Sequence, residues 1–229
     1  MARPLYAALL LSLLSLFTAS AAYADSGSVE FMDFAHLHDQ QQVGNFYNGG
    51  GGAGVPNFGV TFSSNVYGLR SAYAPVHPGA GNFSPDRTST PAIFINGPTG
   101  SMATGTMNVS AGFSNGISFF YTSAFTETVT IWSGANGTGT VLATMTLSAS
   151  NAPGACAGGP AYCVWTGAGI SFSGVAKSVT ISGAANGIGI SDITLGQSTT
   201  AIPEPPSIYL FGAGLLAITF MRVRSMFLA

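Results

Sequence analysis

The chain has 229 residues, of which 47% are hydrophobic and only 6% are charged, with a formal net charge of −2. Six Lys and Arg in all, none of them clustered in the body, exclude the basic patch or stripe that nucleic-acid binding needs. Two cysteines are too few for a disulfide-dense scaffold, and the length suits one domain with a real core.

The N-terminus opens with Arg3, an apolar run from Leu5 to Phe17 and the small-x-small sequence Ala22-Tyr23-Ala24. This order predicts a secretory signal peptide over 1–24, cut after Ala24, with Ala21 as the alternative. A body over 25–201 follows, with three basic residues against seven acidic ones, a balance of about −4 that fits neutral glycans or a divalent cation.

Val29–Phe34 reads as a first strand, followed by His36 and His38. Gln40–Asn65 holds the glycines at 49–52 and reads as a long loop leading into a short strand at Gly59–Ser63. Val66–Pro91 is irregular, with Pro75, Pro78 and Pro85. From Ala92–Asn96 the strands sharpen. Gly105–Ala111 and Gly116–Ser123 read as a pair joined by a turn at Phe113–Gly116. Thr126–Ser133 alternates, with Val129 and Ile131 on one face and Thr128, Thr130 and Trp132 on the other. Gly134–Gly139 turns it into Thr140–Leu147, the clearest hairpin in the chain. Val164–Thr166, Gly169–Phe172, Lys177–Ser182 and Ile188–Leu195 complete about nine or ten strands. With no amphipathic helix, the pattern predicts an all-β antiparallel sandwich, with jelly-roll connectivity the first choice. Cys156 and Cys163 flank a short loop and, in an oxidising compartment, predict a disulfide.

The candidate chemistry is sparse. Asp33 closes the first strand and Asp192 lies in the last. Where those strands are neighbours, the two carboxylates with loop carbonyls would suit a structural Ca²⁺. Glu30 lies nearby, but a regular strand would point it to the opposite face from Asp33. His36 and His38 form an H-x-H pair that would need His77 to bind zinc, with Asp33 or Asp39 as the base of a hydrolase. Glu127 and Asp86 are carboxyls without a defining spacing for glycoside cleavage. No G-x-S-x-G elbow is present, and Gly49–Gly54 lacks the Lys-Ser/Thr of a phosphate loop. Sugar faces stack on rings. The candidates are Phe46, Tyr47, Tyr67, Tyr73, Trp132 and Trp165, of which Tyr47, between asparagines and glycines, and Trp132, beside a turn, are the main glycan contacts expected. Asn82, Asn108 and Asn136 begin N-x-S/T sequons.

The tail, 202–229, has three parts: Pro203-Glu204-Pro205, an apolar run that makes a membrane helix over about 207–223, and Arg222 and Arg224. The prolines make an extended spacer, and the arginines favour a cytoplasmic end. This arrangement resembles the PEP-CTERM sorting signal, although Ser225–Ala229 continue past the basic pair. The resemblance implies recognition of Pro203, Glu204 and Pro205 by an exosortase-type membrane enzyme. It also implies transient membrane insertion and export to the bacterial envelope or beyond. ETVTIWSGANGTGTVLATMTL, VWTGAGISFSGVAKSVTISG and GIGISDITLG are similar to the bodies of PEP-CTERM proteins and to secreted carbohydrate-binding-like jelly rolls. Together these features give three expectations: a non-enzymatic exported matrix protein associated with exopolysaccharide, a lectin-like module, or a secreted zinc hydrolase.

Overall fold

The computed structural model describes residues 30–85, 91–151, 156 and 159–199. The signal peptide, Asp86, the Pro203-Glu204-Pro205 triplet, the apolar tail, Arg222 and Arg224 lie outside the described residues.

Among these residues eleven strands follow in chain order: β1 (Glu30–Met32), β2 (Val60–Phe62), β3 (Val66–Leu69), β4 (Ala92–Ile95), β5 (Met102–Phe113), β6 (Gly116–Ser123), β7 (Glu127–Trp132), β8 (Val141–Leu147), β9 (Thr166–Ser171), β10 (Ala176–Ala184) and β11 (Ile188–Leu195). They form two antiparallel sheets. Sheet A has the order β3-β4-β11-β6-β9, with β1 beside β11, and sheet B the order β2-β5-β10-β7-β8. The all-β sandwich expected from the strand pattern is therefore present. The first and last strands do meet, with Glu30 opposite Leu195 and Met32 opposite Ile193.

Alternation puts the apolar set between the sheets. Met107, Val109, Val129, Ile131 and Val179 come from sheet B, and Ile93, Ile117, Phe119, Ile188 and Ile190 from sheet A. Each such side chain, fully buried, contributes about 1.5–3 kcal/mol. The loop before β2 closes one end with Phe34, Leu37, Val43 and Tyr47.

Three sequence expectations change. β5 and β6 do not pair. Gly112 at φ 80° and Asn115 at φ 71° carry the chain around a corner into the other sheet, so β5 pairs with β2 and β10, and β6 with β11 and β9. The irregular stretch after Val66 begins with a strand, β3, which pairs β4. The two short strands expected near 164–172 are one, β9.

Candidate functional site

An open groove on the outer face of sheet B encloses about 390 Å³. Thr61 of β2, Asn108 and Ser110 of β5 and Lys177 of β10 form its floor, Asn136 of the β7–β8 turn one wall, and Asn48 the opposite rim. Strand register brings these segments together, since Thr61 stands opposite Asn108, and Asn108 opposite Ser178.

The wall is fastened by amides. Asn108 Nδ2 donates to Asn136 Oδ1 at 2.8 Å, and Asn136 N donates to Asn108 Oδ1 at 2.7 Å. Ser178 Oγ accepts from Gly137 N at 3.0 Å and donates to Gly134 O at 2.6 Å. The turn needs left-handed backbone at Asn136 and Gly137 (φ 56° and 67°), which Asn tolerates and Gly adopts without strain. Lys177 is the one charged lining residue, and its Nζ donates to Ser110 O and Ala111 O, both at 2.9 Å.

Trp132 lies beside this groove, half-buried on the outer face as the alternation predicts. Its Nε1 donates to Thr180 Oγ1 at 2.9 Å. From it a hydroxyl surface runs across four strands. Thr106, Thr180, Thr130 and Thr144 form one row; Thr104, Ser182, Thr128 and Thr146 form the next. Thr104 Oγ1 and Ser182 Oγ are 2.8 Å apart. The rows are roughly 6.7 Å apart along the strands and their members roughly 4.8 Å apart across them. A second hollow, of about 150 Å³, lies on the outer face of sheet A among Leu69, Phe83, Phe94, Thr122, Tyr162 and Gly189. It is half the size of the smallest usual ligand pocket.

Tyr47 is a correction. It was expected as a glycan contact, but its ring is 2% exposed, edge-on to Phe34 and Phe46 and stacked on Phe58, so it offers no face to a ligand. Burial, with Asp33 nearby, pushes its hydroxyl well above the ordinary tyrosine range. Phe46 is likewise in the core. Tyr67 packs beside Phe94, and Trp165 packs edge-on to Phe83, both half-buried on sheet A. Tyr73 is exposed.

The zinc set is a second correction: among the described residues no three His, Cys, Asp or Glu side chains converge, and His36, His38 and His77 are all exposed. Asp39 organises its own surroundings, accepting from Arg70 N at 2.8 Å and Ala80 N at 3.0 Å. Asp33 and Asp192 lie one register step beyond the Met32–Ile193 pair. Asp33 Oδ1 accepts from Ala35 N, and Asp192 is 5% exposed at the β11 bulge with φ 53°. Cys156 and Cys163 form the expected disulfide. Buried Asn151 ties this loop to β6. It accepts from Cys163 N and Val164 N at 2.8 and 2.9 Å and donates to Thr122 Oγ1 and Ser123 O.

Glu127 lies far from the groove, 1% exposed on the inner face of sheet B. Burial lifts its carboxyl to about 6, against weaker opposing hydrogen bonds from the Ala184 backbone and Ser123. Burial, and secondarily the charge of Glu127, raise Tyr162 as well.

No family model matches this chain, and no curated protein does. Solved structures to which it is similar include a family 29 carbohydrate-binding module, at 12% identity over 77% of this chain and 96% of that one, TM-score 0.41. A family 29 mutant complexed with cellulohexaose is 13% identical over 75% and 95%, TM-score 0.40. A family 6 module is 12% identical over 72% and 92%, TM-score 0.36. Likenesses of that size do not bear on what this chain binds.

Proposed function

We propose that this protein is an exported, non-catalytic glycan-binding β-sandwich, and that the groove on sheet B is where a neutral polysaccharide sits. The observation that carries this reading is the groove's lining. Amide and hydroxyl side chains both donate and accept hydrogen bonds, as sugar hydroxyls do, and a half-buried indole flanks them. The hydroxyl rows extend the same chemistry along the sheet. Ser110→Trp would fill the groove from an exposed strand position. Against a glycan array, the unaltered protein is expected to retain neutral glycans and the filled variant to lose them. Retention unchanged in the variant would move the site elsewhere, and no retention of any glycan would reject the reading.

Export and sorting rest on the terminal segments alone. The order of Pro203-Glu204-Pro205, the apolar run and the arginines supports handling by an exosortase-type enzyme and delivery to the envelope or matrix, in association with exopolysaccharide. Glu204→Ala is expected to leave precursor in the membrane; normal processing of that variant would count against it.

A further inference from the structure

The two sides of the sandwich end differently. On one side the outer strands, β2 and β3, are sealed by the chain's own loop. Phe62 N donates to Gly44 O at 2.7 Å, Gly68 N to Gln41 O at 2.7 Å and Val43 N to Val66 O at 3.0 Å. On the other side the outer strands are β8 and β9, and among the described residues no segment bonds to the open margin of either.

An open margin is a template for another strand, and sheet proteins blunt such margins with Lys, Pro, brevity or bulges. β8 has almost none of these. It runs seven residues, VLATMTL, without a charge, a proline or a glycine, and its only register shift falls at its start, beside Trp132. β9 is uncharged too, but two glycines in six residues weaken it as a pairing strand. Between the two margins Leu142, Ala143, Met145, Ala168, Ile170 and Phe172 are only partly covered. The body's ten charged residues include none on β8, so like charges do not face one another where two copies of this edge would meet.

We propose that β8 is a self-association edge, pairing antiparallel with β8 of a second copy about a two-fold axis. A two-fold axis is the simplest way for one edge to meet itself. Antiparallel pairing makes the two copies of sheet B continuous and leaves the same outer face of each on the same side. The two grooves would then open in one direction, so the assembly binds a polymer at two points, but the pairing itself does not depend on glycan binding.

Thr144 is the middle residue of β8 and is exposed. In the pair its side chain comes close to its own copy, where like charges destabilise. Sedimentation of the full chain over a dilution series is expected to show a reversible dimer. Thr144→Lys should raise its dissociation constant about tenfold or more, and Thr144→Val should preserve it. Oxidation of Thr144→Cys should trap a covalent dimer, whereas Thr128→Cys, on neighbouring β7, should not. A monomer at every dilution, association untouched by Thr144→Lys, or equal trapping through Thr128→Cys would each overturn the proposal.

Discussion

Glu127 gives a quantitative handle on the sandwich interior. Its carboxyl is pressed against Gly183, where a Cβ would overlap Oε2. Ser123 has one hydroxyl proton, with Phe125 O at 2.8 Å and Gly187 O at 2.9 Å as better acceptors than Glu127 Oε1 at 3.5 Å. Oε2 has no hydrogen-bond partner, and the Ala184 backbone offsets the burial of the carboxyl only in part. The charged form is therefore poorly served, and the carboxyl rises from 4.5 to about 6. The folded state holds this proton more tightly than the unfolded chain does. Its contribution to stability is complete below about 4.5 and is lost as pH rises through about 6. The difference amounts to about 2 kcal/mol, or roughly 4–8 °C in melting temperature for a body of this size. Glu127→Gln keeps the shape and removes the charge. Urea melts between pH 4 and pH 8 should show the native protein weakening across that interval, with the variant flat there and more stable than the native protein at pH 7. An identical slope in Glu127→Gln would refute the assignment.

Gly183→Ala should destabilise by about 1–3 kcal/mol by driving a methyl group into the buried Glu127 carboxyl, measured by denaturant melting. Asn151→Ala strips two N–H groups of their acceptor and should cost about 3 kcal/mol. Opening the disulfide with Cys156→Ser and Cys163→Ser should cost about 2.5 kcal/mol. The triple variant should lose less than the sum, because both devices hold the same loop. If Asp33 and Asp192 together hold calcium, added Ca²⁺ raises the melting temperature and Asp192→Asn abolishes the rise; a melt unmoved by calcium and by chelator removes that site.

The fold was legible where a local pattern reports a face. Val129 and Ile131 against Thr128, Thr130 and Trp132 identified both the inner and the outer side of β7, and the glycines of 134–139 identified its hairpin. It was illegible where two arrangements share one pattern. A short turn between β5 and β6 reads the same whether the chain stays in one sheet or changes sheets. Asn and Gly around Tyr47 announced a turning backbone correctly, but the direction of a ring depends on what packs behind it, here Phe34, Phe46 and Phe58. The groove escaped for a third reason. Its residues come from five separate segments, and only register makes neighbours of Thr61, Asn108 and Lys177. Asn108 and Asn136 did stand out as sequons, yet nothing local joins two residues 28 positions apart.

The scarcity of charge yields the sharpest separation between partners. Where only 6% of residues are charged, solvation rests on hydroxyl and amide groups, the same groups that exchange hydrogen bonds with neutral sugars. The one ammonium in the groove is already committed to two carbonyls. An acidic polymer would have to compete for it, whereas a neutral one would not need it. Hydrogen bonds between neutral groups are little affected by ionic strength, but ion pairing at an exposed surface is screened within about 8 Å at physiological salt. Retention on a neutral polysaccharide should therefore persist from low to high salt and survive Lys177→Met. Retention that collapses with salt, or with the loss of that ammonium, would mean an anionic partner and would refute the neutral-glycan reading of the groove.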